Sequence, residues 1–163
     1  LGYNPSFFSY PFGEYNLEQK NYISNNFEFA FGQHSGVIDL NKDRYELPRF
    51  PINEKYGEIK RFKEVISYLP LQYKIIKPEN KFMNDGENPP KMTIEFFEDQ
   101  KNLENINCFS NEGSKWRKTK IILNDNILNI NFSEKFIERR GRINCSLKDE
   151  NGWRFSGFQF VQN

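Results

Sequence analysis

The chain has 163 residues, and 17% aromatics with 17 Phe give ample material for one packed domain or two small ones despite a mean hydropathy of −0.81. Its 23 Lys and Arg against 22 Asp and Glu leave a formal charge of +1, which gives no electrostatic basis for binding nucleic acid or an anionic membrane. No apolar run reaches the roughly 20 residues that span a bilayer, and no basic n-region followed by an apolar run marks a signal peptide in the residues shown.

In chain order, Phe7 to Tyr10 reads as a buried strand ending at Pro11, and Phe12 to Asn16 as a turn. Asn16 is a good helix N-cap, and Leu17, Tyr22 and Ile23 space as one face of a helix over 17–25. Phe27 to Phe31 alternates Phe, Glu, Phe, Ala, Phe, a strand with one apolar face. A loop follows over 32–43, then an extended stretch over 44–50 that carries Pro48. Ile59, Phe62, Val65, Ile66 and Leu69 predict an amphipathic helix over 58–69.

After Pro70 the helical period disappears. Seven short alternating segments predict strands at 72–76, 92–97, 106–110, 116–123, 127–132, 141–147 and 153–161. Turn signals such as Asn124-Asp125-Asn126 and Glu150-Asn151-Gly152 separate them, the pattern of a β-sandwich. Residues 77–91, with Pro89-Pro90, read as a loop or crossover, and the domain boundary falls near 69–72.

The two cysteines share a local pattern, Ile106-Asn107-Cys108 and Ile143-Asn144-Cys145, which puts Ile and Cys on one face of each strand. Two buried thiols or a bridge between neighbouring strands both fit. A bridge suits an exported protein, so an extracytoplasmic or cell-surface location is the expectation.

Tyr10-Pro11-Phe12-Gly13-Glu14-Tyr15-Asn16, then Phe29 to Gly36, then Tyr45 to Glu54 follow one another in a strand, turn, helix, strand, loop, strand order. That order resembles the last third of a polysaccharide deacetylase domain, the NodB-like carbohydrate esterases. Arg142 to Cys145 and Gly152 to Phe160 resemble the domain appended in one branch of that family. The resemblance implies an α+β chain: residues 1–70 as the C-terminal part of a distorted (β/α) barrel, and residues 71–163 as an all-β sandwich. It implies a parent hydrolase that removes N-acetyl or O-acetyl groups from a polysaccharide with a divalent metal such as zinc.

In such a site the Phe12 backbone N–H would hold the oxyanion, with Pro11 and Gly13 shaping the pocket and Tyr10 and Tyr15 near the substrate. Ser9 stands where the family often has an Arg. His34 is the one imidazole, either a general acid or a structural loop residue. Arg49 either pairs with a catalytic carboxylate or substrate oxygen, or makes a structural ion pair. The family's Asp-Asp and His-x-x-x-His motifs have no counterpart here. No metal ligand set is therefore expected in this chain, and the metal-binding N-terminal half of the domain is expected outside it. Arg139-Arg140-Gly141-Arg142 reads as a solvated turn. The alternative function is a non-catalytic carbohydrate-binding module, with Trp116, Trp153, Phe155, Phe158 and Phe160 as a sugar-stacking platform.

Overall fold

Three short parallel segments organise the N-terminal part of the computed structural model, which describes residue 2, residues 4–84 and residues 86–162. Strand β1 (Phe7–Ser9) pairs in parallel with β2 (Phe29–Phe31), Phe7 opposite Phe29 and Ser9 opposite Phe31. Leu47 adds one parallel bridge to Phe31. Between the strands runs α1 (Leu17–Ser24), and the expected cap at Asn16 forms. The Asn16 side chain accepts from the Gln19 N–H at 2.8 Å, and Gln19 Oε1 accepts from the Asn16 N–H at 3.0 Å. This reciprocal box satisfies two donors that the first helical turn leaves open. Tyr10, Tyr15, Ile23 and Ala30 make the small core under this unit, with the two tyrosine rings stacked at 4.3 Å.

Two expectations change here. The stretch 44–50 is not a continuous strand: the Asp43 carboxylate accepts from the Tyr45 N–H at 2.8 Å, and its carbonyl accepts from the Glu46 N–H at 3.1 Å, which turns the chain before Leu47 pairs. The second helix, α2 (Ile59–Val65), ends at its cap Ile66 rather than at Leu69. A residue before proline is driven away from helical backbone, so Leu69 leaves the helix and forms β3 (Leu69–Pro70). The Tyr68 ring stacks on Phe155 at 5.4 Å and draws the chain across. Of the predicted apolar face Val65 is buried, while Ile59 at 68% and the cap residue Ile66 at 64% exposure stay open to solvent.

All seven strands expected after Pro70 are present, and together they form a sandwich of two open sheets. One is antiparallel, in the order β4 (Ile75–Lys77), β6 (Met92–Glu95), β10 (Ile127–Asn131), β9 (Lys120–Asn124). The other runs β3, β12 (Gly152–Gln162), β11 (Arg140–Asp149), β7 (Asn107–Ser110), β8 (Arg117–Lys118), with β5 (Phe82–Met83) also on β12. The stretch 116–123 divides because β8 belongs to one sheet and β9 to the other, with the switch at buried Thr119. Alternation along β11 buries Ile143, Cys145 and Leu147 against Met92, Ile94, Phe96 and Leu128 of the facing sheet.

Cys145 lies opposite Cys108 in the β11–β7 register, and the two are joined by a disulfide with Cα atoms 4.1 Å apart. The bridge therefore replaces the reading of two free thiols. The α+β class stands and strands dominate, and among the described residues the N-terminal sheet is open rather than a closed barrel. Two paired strands and a single bridge leave an open unit, since closure needs a full ring of tilted strands. The unit joins the sandwich through β3 on β12 and through an antiparallel bridge between Gly36 and Ser156. No helix among the described residues is long and apolar enough to cross a membrane.

Candidate functional site

Parallel strands gather their chemistry at their C-terminal ends, where the loops leave the sheet. Here β1 runs into Tyr10-Pro11-Phe12-Gly13, closed as a tight turn by the Gly13 N–H on the Tyr10 carbonyl at 2.9 Å. Glu14 N–H then donates to the Pro11 carbonyl at 3.1 Å. Phe12 sits in the left-handed region at φ 57°, a conformation costly for a residue with a Cβ. Gly13 follows at φ 69°, and a Cβ there would lie 2.5 Å from the Gln33 nitrogen, so only glycine fits. Among the described residues the Phe12 N–H has no backbone partner, whereas the next two N–H groups are engaged. The turn thus leaves one donor unpaired at a strand end, beside an exposed aromatic ring.

The sandwich holds this turn from the other side. Gln159 Nε2 donates to the Gly13 carbonyl at 3.1 Å, and Arg140 Nη1 donates to the Phe12 carbonyl at 3.2 Å. Arg139 grips the Glu14 carboxylate with Nε at 3.0 Å and Nη2 at 3.0 Å. Arg139 and Arg140 of the basic run are therefore engaged with the first segment rather than simply solvated. These contacts leave no local pattern, because the partners lie 125 residues apart.

His34 and Arg49 come from the next two strand ends. The Arg49 N–H donates to the His34 carbonyl at 3.0 Å, and its Nε donates to the Gly32 carbonyl at 3.1 Å. Arg49 is exposed and, among the described residues, makes no ion pair with a carboxylate. The His34 ring turns inward instead, into a narrow cavity with Tyr15, Glu46, Tyr73 and Lys81. Burial pushes its imidazole down to about 4, so it is neutral at physiological pH. Tyr10 and Tyr15 are buried beneath the turn. The Tyr10 hydroxyl donates to the Tyr45 carbonyl at 3.0 Å, and that of Tyr15 to Glu46 Oε2 at 3.2 Å. Burial raises both phenols, so they stay protonated and serve as supports of the turn.

Glu46 is the hub of the inner cluster. Burial pushes its carboxyl up, yet Lys81 and then Lys20 pull it down further, leaving it lowered overall. Lys20 bridges the Glu46 carboxylate at 3.3 Å and that of Asp43 at 2.8 Å. Lys20, Glu46, Tyr73 and Lys81 carried no signal in the sequence, since each comes from a different element.

Among the described residues no group of three His, Cys, Asp or Glu side chains is placed to hold a metal ion. The donors present among the described residues therefore do not fit a catalytic metal. Comparison with protein-family models, curated proteins and solved structures finds no match.

Proposed function

We propose that this chain is the C-terminal portion of a polysaccharide deacetylase that hydrolyses N-acetyl or O-acetyl groups on a glycan. The observation that carries this reading is the unpaired Phe12 N–H at the C-terminal end of β1, in a turn clamped from both sides. In such a hydrolysis water attacks the acetyl carbonyl carbon and the carbonyl oxygen takes up negative charge. The bond to the sugar nitrogen or oxygen then breaks, a proton goes to that leaving atom, and acetate departs. A donor fixed before the charge develops lowers the barrier, since nothing has to reorganise, and one such donor is worth about 3–4 kcal/mol in other acyl-transfer enzymes. Arg49, exposed beside the same strand ends, would hold a substrate oxygen. The divalent metal of the reaction would be held outside these residues, by the N-terminal half of the domain.

The test is acetate release from N-acetylated chito-oligosaccharides and O-acetylated xylan with added zinc. It compares this 163-residue chain with the complete product of its gene. The complete product is expected to release acetate and the chain alone to release none. No release by the complete product, or full activity of the chain alone, would overturn the proposal.

A second reading, a glycan-binding sandwich, is favoured by Trp116 at 53% and Trp153 at 47% exposure, indoles that a sugar face could stack on, although Lys148 Nζ lies 5.9 Å over the Trp153 ring. Phe158 and Phe160 do not belong to such a platform, because both are core residues of the sandwich. Retardation of the chain in gels containing polysaccharide, abolished by Trp116→Ala with Trp153→Ala, would support that reading, and equal mobility with and without polysaccharide would exclude it.

A further inference from the structure

Three consecutive peptides carry the turn after β1. On the Phe12–Gly13 peptide the N–H donates to the Tyr10 carbonyl at 2.9 Å, and the carbonyl accepts from Arg140 Nη1 at 3.2 Å. On the Gly13–Glu14 peptide the N–H donates to the Pro11 carbonyl at 3.1 Å, and the carbonyl accepts from Gln159 Nε2 at 3.1 Å. The Pro11–Phe12 peptide has its carbonyl occupied by that Glu14 bond, and among the described residues its N–H has no partner. Each of the two later peptides is thus pinned at both ends, once by the turn itself and once by the sandwich. The side chains that pin them stand on β11 and β12, which pair without a break from Arg140 opposite Val161 to Asp149 opposite Gly152. Arg140 Nη1 also lies 3.5 Å from Gln33 Oε1, so it reaches the loop after β2 as well.

We infer that the sandwich forms part of the acyl site, with Gln159 and Arg140 as positioning residues that hold the Phe12 N–H on the reacting carbonyl oxygen. This inference rests on the deacetylase reading. Phe12 lies at φ 57° and ψ 7°, backbone that a residue with a Cβ keeps only where its surroundings over-determine it. Relief of that strain requires the Pro11–Phe12 peptide to rotate, which swings the Phe12 N–H away. The rotation breaks the Glu14 bond to the Pro11 carbonyl, and Gln159 keeps the peptide that makes this bond in place. Gln159 is itself buried, and its Oε1 has no partner among the described residues. A buried acceptor without a donor is destabilising, so this amide is not the side chain that global stability alone would select beside Phe158 and Phe160. A donor contributes to the chemical step only if its direction is fixed before charge develops. Loosening the two pinned peptides therefore slows that step without weakening substrate binding.

The test has two arms. In the complete gene product, Gln159→Met and Arg140→Met should each lower kcat for acetate release from the chito-oligosaccharide or xylan substrate by about tenfold or more, with KM unchanged. Arg140→Lys, which keeps a donor, should recover most of the loss. Lys118→Met, exposed on β8 of the same sheet, should match the wild type. The second arm follows the 163-residue chain by NMR and thermal melts. Both Met variants should give displaced or broadened amide signals at Phe12, Gly13 and Glu14 and faster hydrogen exchange at Gly13 and Glu14. Their melting temperatures should stay within about 3 °C of the wild type. Unchanged kcat in both variants, no recovery in Arg140→Lys, unaltered turn signals in both, or failure of both to fold would each overturn the inference and leave the deacetylase reading standing. Inactivity of the complete product would overturn that reading, and with it the catalytic role of Gln159 and Arg140, whatever the turn signals show.

Discussion

The two parts of this molecule solve the problem of a core differently. The sandwich encloses its own: among the described residues Phe96, Ile143, Leu147, Phe160 and a disulfide all lie inside one cluster. The N-terminal unit buries only Tyr10, Tyr15, Ile23 and Ala30 together, and leaves Phe7 at 64% exposure and Ile59 and Ile66 open. Its attachment to the sandwich mixes polar contacts, Arg139 on Glu14, Arg140 on Phe12 and Gln159 on Gly13, with a small aromatic cluster of Phe50, Tyr68 and Phe155. Apolar burial is the dominant source of stability. The sandwich should therefore carry most of the free energy of folding, and the unit that bears the turn should be the softer partner.

The sharpest check is a pair of truncations. Phe96→Ala should cost about 3–5 kcal/mol in denaturant melts, as for a buried aromatic, whereas Ile66→Ala on exposed α2 should stay within about 0.5 kcal/mol. Equal losses would break the contrast. Next in size is the bridge. Reducing Cys108–Cys145 opens a constraint across 37 residues and should lower stability by about 3–4 kcal/mol by loop entropy, seen as a lower midpoint with reductant.

The pH response comes third. Unfolded His34 takes up a proton as pH falls through 6.5, while the folded residue resists until about 4. The stability of the neutral imidazole is thus complete above 6.5 and drains between 6.5 and about 4, by an amount on the order of 3 kcal/mol. His34→Gln should flatten the melting temperature across that window; an unchanged slope would place the titration elsewhere. Smallest is Arg139→Ala. Its side chain is well exposed, so the loss in global stability should be about 0–1 kcal/mol. Faster amide exchange confined to residues 10–16 would show that the pair orders the turn rather than the fold.

Periodicity made the sandwich legible, because alternation and turn residues are written locally: every predicted strand is there, and the shared Ile-x-Cys pattern anticipated the bridge. The N-cap at Asn16 and the turn at Pro11 to Gly13 were legible for the same reason. The end of α2 was overread, because Ile66 and Leu69 keep helical spacing although Pro70 and the Tyr68–Phe155 stack pull the chain into β3. The cluster around Glu46 was invisible, since Lys20, Tyr73 and Lys81 reach it from stretches far apart in the chain. Glu112 was hidden in the same way: a charged residue in a turn signal is fully buried, with its carboxylate accepting from the N–H groups of Ser133 at 2.5 Å and Glu134 at 2.8 Å.

The outer margin of β12 has a consequence for solubility. One side of this 11-residue strand is fully laddered to β11, but the other is covered in pieces, by Leu69–Pro70 near one end, by Gly36 at Ser156, and by Phe82–Met83 at the other end. A long uncovered strand margin rich in Phe is a template for association with other chains. Two of the three guards belong to or adjoin the softer N-terminal unit. Transient detachment of that unit would then unmask the middle of β12. The first failure of this protein on gentle heating should therefore be aggregation seeded at residues 154–157 while the sandwich itself is still folded.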